Sequence, residues 1–129
     1  KSKDDKTFFS MSSVPTHQLD VLISSAYIGV AWYSTEILGF RAINLGLSAG
    51  KIGNYLKCGL PVIVPSYESL NYVSERKCGV QISSLNNLNA AIETINENYE
   101  LFSKNAVDCY NDLWNTEEYS AHVLNKLAN

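Results

Sequence analysis

Short apolar runs of β type alternate with stretches of helical period along this chain. That alternation confines it to an α/β domain built on a parallel sheet. YIGVAWYS (27–34) is apolar on both faces, as strands buried between two helix layers are. PVIV (61–64) reads as a short central strand and VQIS (80–83) as the last one. TFFSMSSV (7–14) is a candidate first strand interrupted by serines. The expected sheet core is therefore 28–33, 61–64 and 80–83, with the pairing of 7–13 left open.

Helical segments fill the intervals. In THQLDVLISSA the apolar side fits residues 19, 22, 23 and 26, and Thr16 is placed to cap the start. SAGKIGNYLKCG reads as a short helix stopped by a left-handed Gly59. In SYESLNYVSERKCG, Tyr67, Leu70 and Val73 share a side, with Gly79 as the stop. Ser84 can cap a helix carrying Leu88, Ala91, Ile92, Ile95, Tyr99 and Phe102 on one stripe. The last 25 residues, with apolar positions from Leu113 to Leu127, read as two more helices. Between Thr35 and about Leu47 the sequence predicts a loop, long for a compact α/β unit and of a length often given to function. No repeat or low-complexity tract divides the chain, so residues 1–129 are expected to form a single domain.

The totals exclude several classes of function. A net charge of −3 advertises no basic surface for nucleic acid. No run approaches the roughly 18–20 apolar residues that span a bilayer, and KSKDDKTFF does not read as a signal peptide. Cys58, Cys78 and Cys109 are odd in number and widely spaced, which suits buried thiols in a reducing cytoplasm better than a disulfide framework or zinc cage. His17 and His122 lie far apart without metal-like neighbours, so no metal is expected.

The stretch GLSAGKIGNYLKCGLPVIV (46–64) carries the chemistry. A helix start exposes free N–H groups and the positive end of the helix dipole. Ser48, Ala49 and Gly50 keep bulk away from those groups, and Lys51 adds a mobile charge at the same end. Together they suit phosphate or diphosphate, at the carboxyl side of a parallel sheet where such folds bind ligands. The same small residues would equally let the helix pack closely on the sheet with Lys51 in solvent. The segment is not a Walker loop, because Ile52 follows the lysine, and no GxGxxG is present. Asn54, three residues beyond Lys51, lies on the same helical side, where its amide could bond a sugar hydroxyl or nearby backbone.

SAGKIGNYLKCGLPVI resembles the donor-binding segment of GT-B glycosyltransferases, in which a small-residue loop and a lysine precede a helix and then G-x-P-V-[IV]. HQLDVLISSAYIGVAWY, GVQIS and CYNDLWNTEEYSAHVLNKL resemble, in order, the flanking elements of the same domain. The resemblance, of the group 1 or family 4-like kind, implies a Rossmann-like parallel sheet flanked by helices with a helical C-terminus. The chain would be the later half of a C-terminal, nucleotide-sugar-binding domain, and its strands would be the third to sixth of a doubly wound sheet. Strand 7–13 would then lack its usual neighbours.

As function, the resemblance implies transfer of a sugar from a UDP- or GDP-sugar to a polysaccharide or glycolipid acceptor. By position, Ser48, Ala49, Gly50 and Lys51 would contact the diphosphate, with Lys51 as the catalytic stabiliser of the leaving group. Asn54 falls where many relatives carry an acid holding the ribose, and the partner acid eight residues earlier falls at Gly46. In SSVP (12–15), Ser12 and Val14 would read the nucleobase edge, and Tyr33 and Ser34 would line the site. The resemblance further implies a missing N-terminal domain as partner, an inactive fragment and a cytoplasmic setting without a cofactor. A homodimer and peripheral membrane attachment of the full-length protein are compatible with it. Two other classes stand beside it. A receiver-like regulatory domain lacks its acidic cluster after the first strand, and a GT-B-like epimerase would have His17 as its one candidate acid–base histidine in the expected cleft.

Overall fold

A computed structural model describes residues 12–129. Most of the first expected strand, 7–14, lies outside the described residues; its described end, 12–14, is not in a strand. Three parallel strands form the sheet in the order β1 (Gly29–Val30), β2 (Val62–Pro65), β3 (Gly79–Ile82). Val30 faces Ile63 and Ile63 faces Val80, so each strand lies beside its predecessor, as expected for consecutive strands on one side of a doubly wound sheet. The first of these strands is shorter than the expected 28–33. Ala31 still donates to the Ile63 carbonyl at 3.0 Å. Beyond it Trp32 and Tyr33 leave the ladder to pack into opposite cores.

Strand β2 shows why the fold is α/β. All four of its residues are buried, with Val62 and Val64 in one core and Ile63 in the other. The first core is covered by α4 (Gly50–Lys57), α5 (Tyr72–Glu75) and part of α7 (Tyr99–Leu113), through Ile52, Leu56, Val73, Ala106 and Cys109. The second is covered by α6 (Leu88–Glu97), through Ala91 and Ile95. Tyr99 and Phe102 of α7 also reach the second core, so this helix bridges both sides.

Helix α7 additionally fixes the amino ends of the strands. Tyr99 donates its hydroxyl to the Tyr27 carbonyl at 2.8 Å and stacks on the Tyr27 ring. Ser103 Oγ donates to the Gly59 carbonyl at 2.7 Å and Asn105 Nδ2 to the Lys77 carbonyl at 3.2 Å. Each acceptor lies shortly before one of the three strands. The helix α8 (Thr116–Ala128) follows, with the Asn115 side chain accepting from the Glu117 N–H.

Several boundaries differ from the sequence expectation, each for a local reason. The expected loop 35–47 contains two one-turn helices, α2 (Thr35–Leu38) and α3 (Phe40–Ile43), and a 3-10 turn, Gly46–Ser48. Ser34 caps α2 by accepting from the Glu36 N–H. Thr16 is not a cap: Pro15 holds that place and contributes no side-chain bond to the 3-10 turn Thr16–Gln18. The helix that follows, α1 (Leu19–Ser24), ends before Ala26, and Leu22 and Ala26 are exposed. The stripe from Leu88 to Phe102 is divided at Asn98, whose φ of −140° and ψ of 44° break the helix between α6 and α7. Ser84 caps the 3-10 turn Leu85–Asn87 ahead of α6. Cys78 and Cys109 are buried and Cys58 is partly so, all as free thiols. A hydrogen bond with Cys109, together with burial, pushes the Cys78 thiol up and keeps it protonated.

Gly59 ends α4 as expected, at φ +73°. Its N–H bonds the Leu56 carbonyl and the Leu60 N–H bonds the Tyr55 carbonyl, the paired closure of a Schellman motif. Helix α5 closes the same way, but on Lys77 rather than Gly79. Lys77 has φ +51°, with Lys77 N–H to Ser74 and Cys78 N–H to Val73. Gly79 instead belongs to β3, where a Cβ would stand 2.0 Å from the Val62 carbonyl oxygen. The two positions give opposite predictions under chemical denaturation. Lys77→Gly relieves left-handed strain and should stabilise the fold by about 0.5–1 kcal/mol. Gly79→Ala must separate β3 from β2 and should cost about 3 kcal/mol or more.

Candidate functional site

Helix α4 runs back from the carboxyl side of the sheet, so Gly50 and Lys51 lie at the edge where β1 and β2 end. Its interior is fixed by Ile52 and Leu56, both fully buried. Among the described residues no side chain caps its start. Ala49 occupies the N-cap position and offers no side-chain acceptor. The first amides with protein partners are those of Ile52 and Gly53, both toward the Ala49 carbonyl. No described residue accepts from the Gly50 or Lys51 N–H. A Cβ placed on Gly50 would meet nothing within 4 Å, so no side chain from elsewhere crowds this residue.

Around that tip the expected residues divide. Ser48 is exposed and donates its hydroxyl to the Leu45 carbonyl. Ala49 is buried and can offer a ligand only backbone. Lys51 is exposed, with its ammonium 5.9 Å from the centre of the half-buried Tyr33 ring. Burial, with Tyr55 nearby, pushes the Tyr33 phenol up, so it stays neutral beside Lys51. The Tyr33 backbone is anchored in turn by the Tyr67 hydroxyl, 2.7 Å from the Tyr33 carbonyl.

Lys51 and Asn54 line a groove of about 450 Å³ between α1 and α4, together with Leu19, Leu22, Ile23 and Tyr55. Helix α1 is held there by the Lys57–Asp20 ion pair at 2.5 Å and by the Cys58 thiol on the Asp20 carbonyl. The structure thus gathers Ser48, Gly50, Lys51, Asn54 and Tyr33 around one helix start. Ser12 and Val14 are exposed in the stretch leading to α1 and are not among the residues lining this groove.

Sequence reasoning did not single out a second hollow at the same edge. It measures about 490 Å³ and is lined by Ile43, Asn44, Ser66, Tyr67, Glu68 and Ser69. Glu68 is the one carboxylate among the residues lining the two hollows. Gly46, where the resemblance expects an acid, faces Ser69 here, and Ser69 Oγ donates to the Ile43 carbonyl at 2.7 Å. The two hollows come from segments distant in sequence, so no local motif marks them. Among the described residues no group of three or more His, Cys, Asp or Glu could hold a metal ion, and no helix is long and apolar enough to cross a membrane.

No curated protein and no solved structure matches this chain. The family model described as glucosyltransferase 3-like, C-terminal domain, matches residues 2–127. That span is nearly the whole sequence, and the chain therefore belongs to the glucosyltransferase 3-like C-terminal domain family, a family of glycosyltransferase C-terminal domains.

Proposed function

We propose that this chain is the donor-binding part of a GT-B glycosyltransferase of the group 1 or family 4 kind. In this reading it holds the diphosphate of a UDP- or GDP-sugar while a hexose passes to a polysaccharide or glycolipid acceptor. The observation that carries the reading is the start of α4: two amides with no acceptor among the described residues, room for a Cβ at Gly50, and Lys51 on the same turn. An anion there meets both the helix dipole and a full positive charge.

The chemistry follows from where charge develops. As the bond between sugar and diphosphate breaks, its electron pair stays on the diphosphate oxygen. The Gly50 and Lys51 amides and the Lys51 ammonium stabilise that growing charge without an assigned cofactor. Tyr33 limits the sweep of the lysine by holding it near its ring face. Asn54 lies one helical turn deeper in the same groove, where its amide bonds a hydroxyl of the donor. An N-terminal domain would bring the acceptor to this edge. In support of such a cover, Ile37 is 84% exposed and Phe40 77% exposed on the segment leading into α4.

Thermal unfolding with UDP, GDP and CMP as separate probes tests the reading. A nucleoside diphosphate at tenfold its Kd adds about 1.4 kcal/mol of stability, a rise of several degrees in Tm. UDP or GDP should exceed CMP, and Lys51→Ala should weaken the better ligand about 10- to 100-fold. A folded wild-type chain whose Tm no nucleotide moves would refute donor binding. Equal shifts in wild type and Lys51→Ala would remove Lys51 from the site.

A further inference from the structure

Among the described residues the Gly50 and Lys51 amides at the start of α4 have no acceptor, although carbonyls lie close to them in sequence. In an α-helix each N–H bonds the carbonyl four residues earlier. For Lys51 that carbonyl belongs to Leu47, and continued winding would consume the Lys51 amide. The Leu47 carbonyl is engaged elsewhere: it accepts from the indole Nε1 of Trp114 at 3.1 Å. Trp114 follows the last residue of α7 and is remote from α4 in sequence. We propose that Trp114 is a positioning residue that keeps the α4 start open for the diphosphate: a carbonyl oxygen can accept two bonds, so the indole acts by fixing the Leu47 carbonyl out of line with the Lys51 amide. This rests on the donor-binding reading above and adds to it the device that maintains the site.

Three features of the packing carry the idea. First, the indole reaches the Leu47 carbonyl across Gly53 of α4. A Cβ at Gly53 would stand 3.0 Å from Nε1 and 3.2 Å from Cδ1, tighter than the indole tolerates in its present place. Second, the ring is braced from behind by Tyr72, edge-on at 5.6 Å between ring centres. The Trp114 backbone N–H is tied to the Tyr110 carbonyl at 2.8 Å. Third, Ala49 has φ −71° and ψ +75°, which turns the chain out of helical winding between the 3-10 turn and α4. With the Leu47 carbonyl held by the indole, this bend separates a closed turn before it from an open helix start after it.

Trp114→Phe keeps an apolar ring but removes the donor together with the pyrrole half of the indole, and Gly53→Ala retains the whole indole and displaces it. Both should let the Leu47 carbonyl turn toward the Lys51 amide. Amide hydrogen exchange read by NMR should then show Lys51 N–H slowed about tenfold or more relative to wild type, with the core amides of β2 unchanged. Titration calorimetry with UDP and with GDP should show Kd raised about five- to tenfold in each variant for the nucleotide that wild type prefers. The double variant should lose no more than the larger single loss, because both changes remove one contact. Should Trp114→Phe fail to fold, Gly53→Ala gives the same two readouts. Unchanged Lys51 exchange, or wild-type affinity in a folded variant, overturns the inference. Wild type that binds neither nucleotide refutes the donor reading instead, and the exchange measurement then still decides whether Trp114 holds the helix start open.

Discussion

The contrast between the two ends of α4 organises this structure. At its carboxyl end the orphan carbonyls of Leu56 and Tyr55 are satisfied through Gly59 and Leu60, and Ser103 from α7 secures the Gly59 carbonyl. In the middle Ile52 and Leu56 are sealed against the sheet. At the amino end the same helix leaves amides with no acceptor among the described residues. Leaving polar groups unpaired is tolerable only where water or a ligand reaches them. An open end on a helix otherwise fixed along its length is a rigid presentation of a partial positive charge, not a frayed terminus.

That rigidity is distributed unevenly over the molecule. At the amino side of the strands, hydroxyl and amide groups of α7 hold carbonyls ahead of β1, β2 and β3. At the carboxyl side the corresponding bonds hold the connecting segment instead: Tyr67 on Tyr33, Ser69 on Ile43 and Trp114 on Leu47. The second set fixes the path of residues 33–47 by its backbone and leaves Ile37 and Phe40 projecting into solvent. On the donor-binding reading, these side chains are where the proposed N-terminal domain would cover the segment.

Legibility from sequence followed the range of the interactions. PVIV and the Gly59 stop could be read because continuous apolar burial and a left-handed glycine are local signals. The small-residue approach to Lys51 was equally visible. What escaped was whatever depends on a distant partner. Lys77 takes the left-handed stop because Gly79 is needed without a Cβ against Val62, a constraint that exists only once β2 and β3 are paired. Asn98 interrupts an apolar stripe whose period runs on, since the stripe serves two helices packed on one core. Trp114 is one of the apolar positions of the closing helices, and nothing near it in sequence announces that its indole ends on Leu47. The hollow containing Glu68 was hidden for the same reason, being assembled from the ends of α3 and β2.

The departure at Asn54 acquires a physical sense beside Lys51. Residues three apart on a helix meet, so a carboxylate at position 54 would stand within reach of the Lys51 ammonium and compete with an incoming diphosphate for it. The neutral Asn54 leaves that charge uncommitted, and none of the other side chains lining the groove is a carboxylate. An amide bonds a hydroxyl less strongly than a carboxylate does. On the donor-binding reading, this chain trades grip on the sugar hydroxyls for a stronger field at the diphosphate. Affinity would then reside mainly in the phosphates and only weakly in the ribose. It would also fall more steeply with added salt than hydrogen bonding to the sugar alone would allow, because exposed charge pairs are screened over about 8–10 Å.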